Sequence, residues 1–295
     1  MPELPDVAVY VERLAALFGG EPLERLRVVS PWVLRSYDPP PSDLEGRALR
    51  EVRRIGKRIV LGFDEDRFAV IHLMVAGRLR LRDPGSAVPR KRGLAAFDFP
   101  NHTVLFTEEG TTKRASLHLH RGAEALAGHD RGGIDPLAAD LASYTRALTS
   151  ERHTLKRSLT DPRLFGGIGG AYADEIMHRA RLSPTARSDT LDAAAIARLR
   201  DAAVAVLTEW TDRLRAEVGD GFPEKVTAFH PEMAVHGKFA EPCPVCGAPV
   251  QRIRYASNET NYCPGCQTEG RILADRALSR ILKDDWPASL DDLDT

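Results

Sequence analysis

The stretch Cys243-Pro244-Val245-Cys246, separated by residues 247–262 from Cys263-Pro264-Gly265-Cys266, decides how the chain is read. Two C-x2-C pairs sixteen residues apart each supply two thiolates from a tight knuckle. A tetrahedral zinc with four sulfur ligands at ~2.3 Å would close a hairpin too small to have a core of its own. Four ligands leave no position for water, so one structural zinc per chain is expected, held by Cys243, Cys246, Cys263 and Cys266. Two disulfides or a redox pair are the alternative uses of these residues. The chain has only these 4 cysteines in 295 residues, too few for a disulfide scaffold, and their pairing suits a reducing compartment.

Working outward, the segment between the pairs contains Arg252, Arg254, Tyr255, Asn258, Asn261 and Tyr262, with Arg271 just beyond. Such a hairpin suits a phosphate backbone, or is an ordinary solvated one. Upstream, helical periodicity runs near 139–149, 153–160, 171–181 and 190–217, the last through Ile196, Leu199, Val206, Leu207, Trp210 and Leu214. The glycine run Phe165-Gly166-Gly167-Ile168-Gly169-Gly170 enters one of these helices, as a phosphate cradle at the positive end of the dipole or as a plain tight turn. It is no dinucleotide fingerprint, because no strand precedes it. Gly128 to Pro136 reads as a linker. Before it, residues 24–120 break into short β segments such as Arg58–Leu61, Phe68–Leu73, Arg78–Arg82, Ala96–Phe99 and Thr103–Phe106, an antiparallel sandwich or barrel. Val7, Tyr10, Val11, Leu14, Leu17 and Phe18 mark a leading amphipathic helix ended at Gly19-Gly20.

A hydrophobic fraction of 43% with 28% charged residues excludes a disordered or membrane chain, and the length suggests two domains with room for a small third unit. The formal charge of −1 hides a split. Asp284, Asp285, Asp291, Asp292 and Asp294 crowd the last twelve residues, leaving 41 cations against 37 anions in residues 1–283. This is a mildly basic body with an acidic, mobile tail. No apolar run reaches ~18 residues and the N-terminus lacks signal-peptide character, so a cytoplasmic location without membrane contact is expected.

Pro2 is a common helix-start residue. If Met1 is removed, however, it presents a secondary amine whose pKa near ~8 leaves far more free base than a lysine, with Glu3 beside it as a general acid or base. Arg53, Arg54, Lys57 and Arg58 crowd six residues, and Arg78, Arg80 and Arg82 alternate onto one strand face. Ser116, His118 and His120 also share one face. A hydrolytic metal centre would need further ligands, and a His-x-His alone reads as an ordinary polar strand face.

Together, Pro2-Glu3-Leu4-Pro5-Asp6-Val7, Gly56-Lys57-Arg58, Gly167 to Glu175 and Met233-Ala234-Val235-His236-Gly237-Lys238 leading into the cysteines resemble the formamidopyrimidine-DNA glycosylase and endonuclease VIII family. The resemblance implies an α+β multidomain fold: an N-terminal antiparallel β-sandwich catalytic domain with a leading helix (1–130), a helix–two-turn–helix DNA-binding domain (136–232) and a four-cysteine zinc-finger β-hairpin (233–283), ahead of the tail (284–295). It implies excision of a damaged, oxidised base by a monomer bound to DNA at the nucleoid, followed by strand cleavage. Pro2 would attack C1′ to form an imine, Glu3 would move protons, and Lys57 would contact phosphate beside the lesion. Lys156 and the Gly167, Gly169 and Gly170 turn would grip the backbone. The base would leave the stack to be reached. Met74 and Val75 would form a single-loop wedge filling the void, unless they merely finish a core strand.

Two family side chains are replaced: Asn258 stands where an arginine is usual and Gly170 where an asparagine is usual, and the Arg and Phe of a second void-filling loop are missing from Glu108 to Arg114. These departures motivate an alternative, a lesion-binding or abasic-site-binding protein with little chemistry. Pro2, Glu3 and Lys57 argue against it, because binding alone needs no N-terminal amine.

Overall fold

Helix α1 (Leu4–Phe18) starts at Glu3, whose backbone N–H donates to Asp6 Oδ2 (2.9 Å), one arm of a capping box, and carries Pro5 in its first turn. Its buried face includes Val7, Tyr10, Leu14 and Phe18, as the periodicity requires. The computed structural model describes residues 1–228, 230–255, 258–275, 279, 281 and 287–293. Asp284, Asp285, Asp294 and the Tyr255 side chain lie outside the described residues.

Eight strands follow: β1 (Arg25–Val28), β2 (Leu49–Ile55), β3 (Arg58–Phe63), β4 (Arg67–His72), β5 (Gly77–Arg82), β6 (Gly93–Asp98), β7 (Thr103–Glu108) and β8 (Ser116–Arg121). They form two antiparallel sheets ordered β1-β6-β7-β5 and β2-β3-β4-β8. Leu26, Leu79, Phe97, Val104 and Phe106 of one sheet share a core with Ile59, Leu61, Ile71, Leu117 and Leu119 of the other, so the arrangement is a sandwich. Phe18 of α1 stacks on Phe99 at 4.3 Å. Each such side chain, fully buried, contributes about 1.5–3 kcal/mol of transfer free energy. Strand β2 has no clear signal in the sequence. A register shift between Leu49 and Glu51 breaks its alternation, and its apolar residues Leu49, Val52 and Ile55 recur every third position among charges.

The chain folds into two compact units: Met1–Arg131 with Trp210–Thr227, and Gly132–Glu209 with Ala228–Thr295. The first boundary falls inside the Gly128–Pro136 linker. The expected helical block 136–232 is not contiguous, because residues 210–227 belong with the sandwich. There Phe222 packs on Tyr10 (5.6 Å), Arg215 pairs with Glu12 (2.8 Å) and Thr227 bonds Asp6. Periodicity sees a helix but not which core its last turns join.

In the second unit, α2 (Leu141–Thr149) is capped by Asp140, which accepts from Ser143 N (2.7 Å). After it come α3 (Leu155–Thr160), α4 (Gly170–Arg179) and α5 (Ala193–Val218), whose last turns belong to the first unit. Strands β9 (Gln251–Tyr255) and β10 (Asn258–Tyr262) make the hairpin, followed by the one-turn α6 (Pro264–Gln267). The tail expected to be mobile is partly fastened: Ile272 N bonds Ala288 O (2.8 Å), Leu290 N bonds Gly270 O (3.0 Å), and Asp292 Oδ2 accepts from Ala288 N and Ser289 N.

Candidate active site and nucleic-acid interface

In the first unit the N-terminus is a buried start rather than a frayed end. Pro2 is buried and Glu3 is 3% exposed. Asp6, 1% exposed, organises this turn: its carboxylate accepts from Glu3 N, from Thr227 N (2.7 Å) and from Thr227 Oγ1 (3.1 Å). Burial raises its pKa to about 6, against the lowering effect of these hydrogen bonds. Sequence reasoning gave Asp6 no role, although a carboxylate in the first turn before an apolar stripe signals a cap.

Lys57 sits in the two-residue turn between β2 and β3, which Gly56 makes possible at φ +57°. Burial lowers the Lys57 pKa while the nearby Glu3 charge raises it. The terminal amine, carried here by Met1, is likewise lowered, mainly by burial, with Glu3, Arg78, Asp6 and Lys57 acting on it electrostatically. One spot in this unit therefore collects the amine, two carboxyl groups and two cations. Met74 and Val75 do not finish a strand. They form the turn between β4 and β5, with Met74 at φ +53° and Val75 60% exposed. The loop after β7 is held from below by Glu108, 1% exposed, whose carboxylate accepts from Arg114 N and Ala115 N.

In the second unit, Gly167 at φ +103° takes a conformation only glycine adopts readily, and it turns the chain into α4. Gly167 and Gly169 are buried and Gly170 is half-buried. Lys156 lies at the mouth of this helix, where Nζ donates to Gly170 O (2.6 Å) and to Asp174 Oδ1 (2.5 Å). Asp174 is fully buried and its other oxygen meets His236 Nδ1 (2.8 Å). The adjoining Glu175 accepts from the backbone N–H groups of Ala234, Val235 and His236, each at 2.9 Å. Helix α4 thereby fixes the strap before the cysteines. Lys156, Arg157, Gly170, Thr154 and Asn258 line one groove of this unit. Lys156, Gly170 and Asn258 are thus brought together, with Asn258 exposed at the hairpin tip.

The hairpin itself is less basic and less aromatic outside than its sequence suggests. Arg252 and Arg254 both pair with Glu259 (3.8 and 3.2 Å), and Arg252 stacks over Phe239 (4.0 Å). Tyr262 is fully buried, its hydroxyl accepting from Leu273 N (2.7 Å), and Asn261 is 1% exposed with Oδ1 accepting from Gly237 N (2.9 Å). Both are the hairpin's core, since so small a unit uses its largest side chains to build one.

The cysteine sulfurs fit zinc. Cys246 Sγ is 3.3 Å from Cys263 Sγ and Cys243 Sγ is 3.9 Å from Cys266 Sγ, bracketing the separation of about 3.8 Å that a tetrahedral four-sulfur site demands. Burial pushes the Cys266 thiol up to about 11, and a bound dication offsets that by favouring thiolate. The chain holds one structural zinc here. His178 of α4 places Nε2 3.3 Å from Cys243 Sγ, a neighbour the cysteine spacing could not reveal.

Family models match three consecutive segments: the formamidopyrimidine-DNA glycosylase N-terminal domain over residues 1–122, the H2TH domain of the same glycosylase over 133–215, and a zinc finger found in FPG and IleRS over 240–268. A formamidopyrimidine-DNA glycosylase of Heliobacterium modesticaldum is 31% identical over 286 residues, covering 90% of this chain and all of the relative. Among solved structures, the MutM (Fpg) protein of Thermus thermophilus is 31% identical with a TM-score of 0.76, covering 91% of this chain and 100% of that one. A Lactococcus lactis FPG in complex with Fapy-dG containing DNA shares the fold at a TM-score of 0.80 and 23% identity, covering 90% and 100%.

Proposed function

The chain belongs to the formamidopyrimidine-DNA glycosylase family and is a DNA repair glycosylase with abasic-site lyase activity on damaged DNA, and from that premise we propose that Pro2 is its nucleophile. The observation that carries this reading is the buried N-terminal turn, in which Pro2 and Glu3 are buried and the charges of Glu3, Arg78, Asp6 and Lys57 converge on the chain terminus. Removal of Met1 puts the secondary amine of Pro2 at the chain's start. Its lone pair attacks C1′ of the extruded nucleotide and the bond from C1′ to the base breaks, the base leaving with a proton. Glu3 protonates the ring oxygen as the sugar opens, giving an iminium on Pro2. Loss of a C2′ proton then expels the 3′ phosphate, and water releases the enzyme. Lys57 and Arg78 offset phosphate charge around the lesion.

Lys156, Gly167, Gly169, Gly170 and Asn258 hold the backbone in the second unit, and Met74 and Val75 fill the space the base vacates. The zinc closes the β9–β10 hairpin that presents Asn258. In this reading 1–130 is the catalytic domain, 136–232 the helix–two-turn–helix and 233–283 the finger, with 210–227 serving the catalytic domain. An oxidised base is the proposed substrate and the nucleoid the proposed location. Among the described residues no helix is long and apolar enough to cross a membrane.

Borohydride trapping on abasic DNA tests the nucleophile, using protein whose Pro2 terminus is verified by mass spectrometry. A covalent adduct is expected, and peptide mass spectrometry should place it on the Pro2 nitrogen. An adduct found on a lysine instead would transfer the role to that lysine.

A further inference from the structure

His118 and His120 project from the outer face of the sheet edge strand β8, opposite Val70 and Phe68 of β4. In sequence they amount to a polar strand face, but the fold adds a third imidazole. A 3-10 segment (Ala123–His129) turns back over this face, buries Leu126 against Val60, Phe68 and Val70, and delivers His129, 8% exposed. The His129 ring lies 4.7 Å from that of His118 and 4.9 Å from that of His120, centroid to centroid, and His120 Nε2 is 2.7 Å from His129 Nε2. One nitrogen from each of the three rings lies within 4.8 Å of the others.

We propose that His118, His120 and His129 form a second metal site, distinct from the four-cysteine site, that takes a borderline divalent transition ion such as Zn²⁺. Imidazole suits such ions, and zinc to nitrogen bonds of about 2.0–2.1 Å imply nitrogens about 3.3 Å apart, between the shortest separation and the outer limit of this cluster. The Arg58 guanidinium stands beside the cluster, donating to His129 O (3.3 Å). Three protein ligands leave a fourth position for water. Arg58 opposes a dication, so this site binds more weakly than four thiolates and empties first under a chelator. The ion would clasp the edge strand to the last turn before the boundary at Arg131. His129 is the ligand that spacing could not supply, because only the fold-back of residues 123–129 brings it to the pair.

The experiment is zinc stoichiometry on untagged full-length protein, equilibrated with a small excess of Zn²⁺, desalted and measured by elemental analysis, with isothermal titration for affinity. Two zinc ions per chain are expected for the parent, and one for His120→Gln and for His129→Gln, with far-UV circular dichroism unchanged. Replacing zinc by Co²⁺ should leave the thiolate charge-transfer band intact in both variants while the imidazole-site d–d absorption is lost. One zinc per chain in the parent under zinc excess, or two in both variants, overturns the site and leaves a hydrogen-bonded histidine pair. Since borohydride trapping is read separately, failure here does not touch the Pro2 assignment.

Discussion

Asp6→Asn separates the electrostatic role of Asp6 from its shape. The carboxylate accepts three hydrogen bonds at 1% exposure and titrates near 6 instead of 3.8 because burial disfavours its charge. Two pK units amount to about 3 kcal/mol. Because the folded-state pKa is the higher one, folding takes up a proton between roughly pH 4 and pH 6, so this group's stabilisation is present below pH 4 and is lost as pH rises through 6. Asparagine removes that slope. It also turns one acceptor into an N–H₂ facing a backbone N–H, which costs about 1–3 kcal/mol. At pH 7 the two effects nearly cancel, so the variant should match the parent within about 2 kcal/mol. At pH 4, where the parent's Asp6 is protonated in the folded state, only that cost remains and the variant should be weaker by about 1–3 kcal/mol. Urea unfolding from pH 4 to pH 7 measures both, and the parent-minus-variant difference isolates Asp6. The turn carrying Glu3 loses an anchor, and trapping on abasic DNA should slow about tenfold or more. A difference curve flat across pH 4–6 would refute the reasoning.

Asp174→Asn removes the buried counter-charge of Lys156 and a partner of His236, and should cost about 3 kcal/mol in urea unfolding, the low end for a broken buried pair because Lys156 keeps some solvent. Lys156→Met added to it should recover part of that loss, and full additivity would show that the pair is not coupled. Asn258→Arg restores a cation to the groove and should raise the slope of log affinity against log salt by about one for abasic DNA, unless Glu259 captures the new side chain, in which case the slope stays put. Gly170→Asn should fold normally, since its Cβ would meet only Lys156 Nζ at 3.9 Å, and should tighten DNA binding in a fluorescence anisotropy titration. Chelation of the structural zinc should unfold the hairpin and abolish DNA binding while the sandwich keeps its β signal, and retained binding in zinc-free protein would count against the hairpin's role.

The sequence carried the zinc site and those parts of the proposed DNA site whose chemistry is local. Four cysteines at fixed spacing, a proline at position 2 and a glycine run before a helix each state a requirement within a few residues. What it hid depends on distant partners. Thr227 completes Asp6 from 221 positions away, and His129 meets His120 through a turn that has no periodic signal. Strand β2 is hidden because its bulge destroys the two-residue period. Tyr262 and Asn261 looked like surface residues because aromatic and amide side chains between basic ones read as a binding face, yet a hairpin this small must bury its own.

Charge shows most clearly why counting residues misleads. Residues 1–283 carry a modest excess of cations, but several of them are already engaged by carboxylates in the free protein. Arg80 and Arg82 share Glu224, Arg252 and Arg254 share Glu259, and Lys156 holds Asp174. A cation paired in the free protein releases fewer counterions when it meets phosphate, and breaking the pair offsets part of the gain. With Asn258 and Gly170 adding no charge, affinity for intact duplex should be low and weakly salt-dependent. In the proposed reading, discrimination then falls to the N-terminal turn and the Met74-Val75 loop, which would engage only a nucleotide that has left the stack. Such a division suits a repair enzyme that must pass over undamaged DNA quickly, since tight backbone contacts would lengthen every unproductive encounter.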